Sequence, residues 1–363
     1  MKKQLGVGRA RALRGWLREQ WSTNLRIPAY AVLFGLLVGG LFTLAIGQNP
    51  LMVYWAILYA FFSGFLEVVG QATPLICTGL AVALAFRCGL FNIGVEGQIT
   101  IAMLASGVVG VKLGFLPGII LLPLCILSGI LAGALWAGIP GWLKAKRGIH
   151  EVINSIMMNY IALYLVNTLV LSKWLKAPNY GATYPVPTSA WLPRLAGTQV
   201  SANMGLFLAL GAVFLVYWIL WHSTLGFQIR ATGHNPQAAE YAGMNTSRQL
   251  ILAMLISGGL AGLGGAIQTL GVKHRVYQFS GFINYGFDGL AVSLIGRNHP
   301  VGVVLAALLF GTLSYSSVTI QLMAGVPKQV IGIIQACIIF FVAADEIVKW
   351  VLKRLARKKE AAA

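Results

Sequence analysis

The chain has 363 residues, of which 58% are hydrophobic and only 10% are charged, a composition that excludes an ordinary soluble domain and is typical of a polytopic membrane protein. Lys and Arg number 27 against 9 Asp and Glu. The basic residues lie mainly at the termini and at the ends of apolar runs, which orients a chain in a bilayer and argues against a nucleic-acid-binding domain.

The N-terminal part of the chain predicts a basic arm followed by a membrane anchor. Residues 1–26 carry seven Lys or Arg and one acid, so we expect them to stay in the cytoplasm. The apolar run Ile27–Ile46 is long enough to cross a bilayer and has no small-x-small cleavage site, so it is interpreted as a retained anchor. Gly35 and Gly39 within it favour close contact with another helix.

A glycine-rich stretch separates the next two apolar runs. After a predicted outer connection at 47–71, the short run Ala72–Phe86 ends at Arg87, and Gly89–Gln98 (GLFNIGVEGQ) follows. The stretch holds three glycines, an amide pair and the carboxylate of Glu96, and an ionisable group near a membrane span is a functional candidate. We interpret it as a break between two helices that faces a polar pathway. A short cytoplasmic turn with a solvated Glu96 is the alternative.

A stripe of polar residues lies on one predicted span. Spans at Ile99–Leu116 and Gly118–Trp142 are followed by Ile149–Leu171, which carries polar residues four positions apart. A lipid-facing stripe of this kind is costly, so we expect it to face the helix bundle or a pore. The stripe consists of Glu151, Ser155 and Asn159, with Asn154 beside them.

The second half of the chain repeats the alternation of spans and loops. A proline-rich outer loop is predicted at 172–202 and a long inner loop at 222–249. The run Leu250–Leu270 is dense in small residues, which permits close helix packing. The remaining apolar runs are Met204–Trp221, the short piece Gly286–Gly296 with Asp288 near its start, Val301–Met323 and Val330–Val351.

These elements predict an all-α polytopic membrane protein with about ten transmembrane helices and both termini cytoplasmic. We divide it into the basic arm at 1–26, a transmembrane domain at 27–351 and a basic cytoplasmic tail at 352–363. Two short broken segments, Ala72–Gly97 and Gly286–His299, fall in comparable places in the two halves, which points to a substrate site between repeats.

The inner loop contains a short predicted helix with explicit ends. Asn235 suits the N-cap, Pro236 the first helical position, and Gly243 the position just past the end. So short a helix needs a surface on which to lie, either the membrane interface or a partner protein. An ordinary loop helix is the alternative.

The sequence contains no motif for chemistry of its own. It has no phosphate-binding loop, no metal-binding histidine spacing and no nucleophile elbow. Its cysteines show no paired spacing and are expected to be packed thiols; they are Cys77, Cys88, Cys125 and Cys337. We therefore expect a transport subunit that binds no metal or cofactor, with a membrane-embedded acid–base enzyme as an alternative.

Four stretches resemble bacterial ABC importer permeases for nucleosides of the guanosine type, within the superfamily of ribose and branched-chain amino acid permeases. The resemblance runs from about residue 28 to residue 350, and it implies a multi-pass protein of the bacterial cytoplasmic membrane that imports nucleosides. A sugar or another small polar solute is the near alternative. The stretches are Gly89–Gln98, His150–Tyr160 (HEVINSIMMNY), Ala231–Asn245 (ATGHNPQAAEYAGMN) and Asn284–Gly302 (NYGFDGLAVSLIGRNHPVG).

The resemblance also implies partners. They are a separate dimeric ATPase that binds ATP and Mg, a second related permease subunit, and an extracytoplasmic, lipid-anchored solute-binding protein. The loop around the short helix resembles the coupling helix that docks into a groove of the ATPase. The residues so assigned are Gly233, Asn235, Pro236, Ala238, Ala239, Glu240 and Gly243.

We hypothesise that the two polar breaks line the translocation path. Amides there would bind ribose hydroxyls and base edges, and an aromatic ring would stack on the base. The path residues are Phe91, Asn92, Glu96, Gln98, Asn154, Asn159, Phe287 and Asp288. Alternatively, Asn92 and Glu96 only satisfy backbone groups at the break.

Two rival classes of function are considered. An ion- or proton-coupled secondary transporter would use Glu96, Glu151 or Asp288 to carry the proton. A non-transporting membrane scaffold is disfavoured, because it would not need two polar breaks.

Overall fold

The computed structural model describes residues 28–178, 181–197, 200–327 and 329–344, together with residues 347 and 354. The predicted basic arm and most of the predicted tail lie outside these residues. Within the described ranges the chain forms helices, loops and isolated bridges but no strand, which confirms the predicted all-α class.

Most of the helices follow one another with short connections, and the two longer connections precede α7 and α11. In the first half they are α1 (Pro28–Ala45), α2 (Pro50–Ser63), α3 (Phe65–Arg87), α4 (Val95–Lys112), α5 (Gly118–Arg147) and α6 (Glu151–Val170). In the second half they are α7 (Gly205–His222), α8 (Thr224–His234), α9 (Pro236–Tyr241), α10 (Thr246–Gln268), α11 (Tyr285–Ile295), α12 (Pro300–Ala324) and α13 (Gln329–Ala343). A π-helical turn, Thr269–Lys273, extends α10.

Among the described residues, 7 helices are long and apolar enough to cross a membrane: α1, α3, α5, α6, α7, α12 and α10 with its π-helical turn. The prediction that the segment before the glycine-rich stretch is short was wrong, because α3 begins at Phe65 and has 23 residues. The added turns include Glu67, whose carboxylate accepts a 3.0 Å hydrogen bond from the Ser201 N–H. By contrast α11 has 11 residues, about 16 Å of helix, less than the roughly 30 Å of a hydrocarbon core.

The described residues form two compact units, one consisting of Ile57–Ser316 and the other of the described residues before Ile57 and after Ser316. In the second of these, α1 lies against α13 through the predicted glycine pair. A Cβ added at Gly35 would lie 2.5 Å from the Ile338 Cα, and one at Gly39 would lie 2.8 Å from the Ile334 Cγ1. These glycines therefore permit the close helix contact that the sequence predicted.

In the larger unit, α5 and α10 approach each other at glycines on both helices. A Cβ on Gly133 would lie 2.3 Å from the Gly258 carbonyl oxygen, and a Cβ on Gly262 would lie 2.3 Å from that of Gly129. Such backbone-to-backbone contact confirms the predicted close packing of the small-residue run.

Of the seven long apolar helices among the described residues, α3 is the most deeply buried. Helix α11 packs on α3 where both helices have small residues. A Cβ on Gly289 would lie 2.6 Å from the Thr78 Oγ1, and a Cβ on Gly79 would lie 2.8 Å from a Val292 methyl group. The short helix α11 is thereby held against the centre of the unit.

The long loop between α6 and α7 lies on the segment that follows α10. The Thr183 and Val186 N–H groups donate 2.9 Å hydrogen bonds to the carbonyls of Val276 and His274. The Trp191 ring stacks on the His274 ring with a centroid distance of 3.8 Å. The loop is rich in proline, yet it makes defined contacts with the segment that follows α10.

Candidate functional site

The break between α3 and α4 is shorter than the sequence predicted. Helix α3 ends at Arg87, the chain turns at Gly89 with a φ of 77°, and α4 begins at Val95. A positive φ suits glycine because it has no Cβ. Glu96 and Gln98 therefore lie in the first turn of α4 rather than in irregular backbone.

Asn92 is the residue that closes the break. Its side chain is fully buried. Its Nδ2 donates to the Ser257 Oγ at 2.9 Å and to the Gln98 Oε1 at 3.2 Å, and its Oδ1 accepts from the Gly94 N–H and the Gln98 Nε2 at 3.0 Å each. The amide thus ties the break to α4 and, through Ser257, to α10.

Asn159, from the polar stripe of α6, reaches the same break. Its Nδ2 donates to the Ile93 carbonyl at 3.0 Å, and its Oδ1 accepts from the Gly97 N–H at 2.8 Å. A Cβ on Gly97 would lie 2.9 Å from this oxygen, so the contact requires glycine there. The prediction that the stripe faces the protein interior is confirmed, since Glu151, Ser155 and Asn159 are all buried.

The Glu96 carboxylate binds the N-terminus of α11. One oxygen accepts a 2.7 Å hydrogen bond from the Asn284 N–H, and the other accepts a 2.7 Å hydrogen bond from the Gly286 N–H. Glu96 also lies in the first turn of α4. Because the first N–H groups of a helix lack intrahelical partners and carry partial positive charge, one buried carboxylate stabilises two helix N-termini at once.

The structure thus brings four of the predicted path residues into one group. Asn92, Glu96, Gln98 and Asn159 are all buried, and their polar atoms bond to protein partners. Their role in the translocation path stays a prediction. It requires these side chains to release their protein partners and to form hydrogen bonds with the solute during transport. Sequence reasoning missed Ser257, since its contact with Asn92 joins residues 165 positions apart.

The other predicted path residues lie outside this group of hydrogen bonds. Phe91 packs edge-on against Phe86 with a centroid distance of 4.8 Å. Asn154 is half-buried, and its Nδ2 is buried without a hydrogen-bond partner. Phe287 and Asp288 are half-buried in the first turn of α11.

Phe287 belongs to a row of aromatic rings. It packs edge-on against Phe282 at 5.5 Å, and Phe282 packs against Tyr160 of α6 at 5.0 Å. Tyr160 is 45% exposed, so the row reaches an accessible surface. Sequence reasoning named only Phe287, because nothing in the sequence links the positions of the other two rings to it.

The inner loop forms the predicted short helix. Asn235 caps α9, its Oδ1 accepting from the Ala238 N–H at 3.0 Å, and Gly243 follows with a φ of 80°. Ala239 is only 3% exposed, whereas Tyr241 is 94% exposed. Sequence reasoning did not single out Tyr241, whose ring protrudes from the loop, whereas the predicted coupling residue Ala239 is buried.

The loop is joined to the break by direct backbone contact. A Cβ on Gly233, at the end of α8, would lie 2.2 Å from the Arg87 carbonyl oxygen. A Cβ on Gly89 would lie 3.3 Å from the Gly233 Cα. The cytoplasmic loop predicted for ATPase coupling and the break that holds Asn92 thus share a contact surface.

The chain is similar to known transport proteins along most of its length. It is 39% identical over 93% of this chain and 98% of the relative to the guanosine ABC transporter permease protein NupP of Bacillus subtilis (strain 168). It is 34% identical to the nucleoside ABC transporter permease protein NupB of Lactococcus lactis subsp. cremoris (strain MG1363), covering 90% and 93% of the two chains. A third relative, the glucose ABC transporter permease protein TsgB13 of Haloferax volcanii, is 36% identical over 89% of this chain and 88% of its own.

A family profile agrees with these relatives. The family described as branched-chain amino acid transport system / permease component matches residues 64–343, which include the break, the inner loop and α11. The chain is therefore a member of the permease component family of the branched-chain amino acid transport type, within which the sequence resemblance had placed it.

Proposed function

We propose that this chain is the permease subunit of an ATP-binding-cassette importer and that it moves nucleosides across the bacterial cytoplasmic membrane. The observation that carries the proposal is the similarity to two nucleoside permeases over 90% or more of this chain. Energy comes from a separate ATPase that binds ATP and Mg, and this chain holds no cofactor.

The aromatic row supports a nucleoside as the solute. Tyr160, Phe282 and Phe287 offer flat apolar faces next to the α11 N-terminus, and a nucleobase stacks on such faces. The remaining path residues supply amides and carboxylates for the ribose hydroxyls and base edges.

A sugar is the second candidate solute, because TsgB13 is as similar to this chain as the nucleoside permeases are. The two candidates share hydroxyl groups but differ in the aromatic base. Removal of an aromatic ring from the row therefore separates them: it weakens recognition of a nucleoside more than that of a sugar.

The proposed topology has about ten crossings, with both termini and the inner loop in the cytoplasm. Helix α9 is proposed to dock on the ATPase, and the exposed ring of Tyr241 supports this since an aromatic anchor suits a partner groove. A second related permease subunit completes the pore. An extracytoplasmic solute-binding lipoprotein delivers the solute to the long loop between α6 and α7.

The test is uptake into vesicles that contain the assembled transporter. Labelled guanosine, uridine, ribose and glucose are offered with and without ATP, and with a protonophore in a parallel sample. We expect nucleoside uptake that requires ATP and survives the protonophore. ATP-independent uptake that the protonophore abolishes would instead establish a proton-coupled secondary transporter.

A further inference from the structure

Two arginines from distant parts of the chain meet at the junction of α3 and α8. Arg87 is the last residue of α3, and Arg230 lies in α8, one turn before Gly233. The close backbone contact between Gly233 and Arg87 fixes the two helix ends together. This backbone contact brings the two positive charges close enough to repel each other.

No carboxylate in the described residues neutralises this pair. Arg87 donates from its Nε to the Asn298 carbonyl at 3.0 Å and from its Nη2 to the Arg297 carbonyl at 3.4 Å, and both acceptors are neutral. The Arg230 Nε is buried without a hydrogen-bond partner. The ion pair between Lys144 and Glu151 involves neither arginine. Buried donors and like charges of this kind favour an anion from outside the described residues.

An aromatic ring and a histidine complete the cluster. The Arg87 guanidinium lies over the Trp221 ring, 5.4 Å from its centroid, and the His299 ring lies 5.0 Å from that of Trp221. Burial and the charge of Arg87 lower the pKa of His299, so this ring is neutral at pH 7 and offers hydrogen bonds without adding positive charge. All four side chains are half-buried, so part of each remains exposed.

We propose that the basic cluster formed by Arg87, Trp221, Arg230 and His299 binds a phosphate group, and that the phosphate belongs to an anionic phospholipid of the inner leaflet. Guanidinium groups bind phosphate oxygens through paired, charge-assisted hydrogen bonds. The inner-leaflet location rests on the proposed topology, in which the α7–α8 corner is cytoplasmic. Basic pockets between helices on that side suit lipid head groups.

The surface beside the cluster favours a lipid over a free phosphate ion. On α7, Phe214 is 71% exposed and Trp218 is 52% exposed, and on α8 Phe227 is 57% exposed. Trp218 and Phe227 lie near the corner of α7 and α8, where aromatic side chains suit the level of the head groups, and Phe214 lies one turn deeper, where acyl chains cover apolar surface. A head group in the basic cluster would place its acyl chains along this surface.

The test compares phosphate sources on the full chain purified in a neutral detergent. Arg230→Gln removes the charge whose Nε has no partner, whereas Arg87 is left in place because it holds the Asn298 and Arg297 carbonyls. Arg248→Gln, on the exposed side of α10, is the matched control, and Arg230→Lys keeps the charge. Phosphatidylglycerol, phosphatidylcholine and inorganic phosphate are titrated separately, with bound lipid counted by native mass spectrometry and the unfolding temperature measured in parallel.

We expect phosphatidylglycerol to bind and to raise the unfolding temperature of the wild-type chain and of Arg248→Gln, with phosphatidylcholine weaker. For Arg230→Gln, binding of phosphatidylglycerol falls roughly tenfold, the scale of one charge-assisted hydrogen bond, and Arg230→Lys recovers part of it. A different outcome is that inorganic phosphate raises the unfolding temperature with the same dependence on Arg230, with no further increase from phosphatidylglycerol. That result would keep the phosphate site and reject a lipid as the source of the phosphate.

Two outcomes overturn the proposal. One is equal binding of phosphatidylglycerol by Arg230→Gln and the wild type, when both elute as folded, helical protein. The other is that the wild-type chain binds none of the three phosphate compounds. If Arg230→Gln then also loses co-purification of the ATPase, the basic cluster is assigned to an acidic surface of that partner protein instead. Neither result bears on whether the chain transports nucleosides.

Discussion

The Glu96 carboxylate accepts a 2.7 Å hydrogen bond from the Gly286 N–H, although the two residues are 190 positions apart. A Cβ on Gly286 would lie 2.3 Å from the Glu96 nitrogen, so the two helix N-termini meet at backbone distance. Two positive helix ends repel each other at this distance, and the carboxylate between them removes the repulsion.

Glu96→Ala is expected to destabilise the junction of α4 and α11. The substitution leaves the Asn284 and Gly286 N–H groups without acceptors, at about 1–3 kcal/mol for the buried Gly286 group and less for the part-buried Asn284 group. Glu96→Gln keeps one acceptor oxygen and should fall between the alanine variant and the wild type. Unfolding temperatures in detergent measure the order, and Glu240→Gln, on the exposed side of α9, is the control. An unfolding temperature of Glu96→Ala equal to that of the wild type would contradict this role.

Asn92→Ala separates a structural role from a path role. The buried Ser257 hydroxyl and Gly94 N–H lose a partner, so the amount of folded protein is expected to fall. If Asn92 also lines the path, uptake per folded molecule drops or its solute preference shifts while basal ATPase activity survives. Uptake that falls only in proportion to folded protein would remove Asn92 from the path.

The local features of the sequence predicted local structure well. The α9 helix begins and ends where Asn235, Pro236 and Gly243 indicate, because capping depends on residues within one turn. The glycines of α10 likewise predicted a close contact, although not that its partner is α5.

The relations that build the candidate site could not be predicted in the same way. The sequence marked Glu96 as an unusual carboxylate, but its partners are backbone N–H groups, which every residue carries. The sequence placed Glu96 and Gln98 in a break, yet both lie in a helix, since the irregular backbone ends at Gly94 once Asn92 accepts from its N–H. Ala239 is buried and Tyr241 is exposed because of how α9 packs against the rest of the protein. The sequence of α9 alone does not predict that packing.

Tyr241→Ala is expected to weaken assembly with the ATPase. The ring is 94% exposed in this chain, and an exposed aromatic anchor loses its contact area when truncated, typically at about 2 kcal/mol or more for a central contact. Co-purification of the ATPase with the permease and ATP-driven uptake measure the effect. Ala239→Arg is a poorer probe, since Ala239 is buried within its own chain.

Tyr184→Ala is the matched control for Tyr241→Ala, because this ring is 44% exposed on the long loop before α7. It should leave ATPase co-purification unchanged. Equal co-purification with the Tyr241 and Tyr184 variants would show that α9 docks elsewhere or not at all.

Gly262→Ala is expected to destabilise the contact of α5 with α10. The added methyl group would lie 2.3 Å from the Gly129 carbonyl oxygen, and overpacking of this kind costs about 1–3 kcal/mol. Gly211→Ala in α7 is the matched control, because no heavy atom lies within 4 Å of the added Cβ. The control should be neutral or slightly more stable, since alanine favours the helix. Thermal unfolding measures both, and equal shifts would contradict the packing argument.

The contact between the long loop and His274 is expected to weaken in acid. Burial, followed by the positive charge of Arg194, lowers the pKa of His274 below its ordinary value of 6.5. The unfolded loop therefore binds more protons than the folded one, and the stabilisation present above about pH 6.5 is lost as the pH falls toward the lower, folded pKa.

Hydrogen exchange of the segment around Trp191, corrected for the intrinsic effect of pH, measures this loss between pH 7.5 and pH 5. His274→Gln should remove most of the pH dependence while it weakens the ring stacking at every pH. Exchange that responds to pH equally in the wild type and in His274→Gln would assign the effect to another group.

The glycine contacts of α5 and α10 have a consequence for the measurement of motion. Side chains can change rotamer to absorb a shift between two helices, but main-chain atoms in van der Waals contact have no such freedom. The distance between these helices should therefore be constant while other distances change with nucleotide or solute. Spectroscopic labels on the exposed positions Leu127 and Leu131 of α5 would therefore provide a fixed reference. Distances from these labels to labels on α9 or α11 would report the movement of those helices.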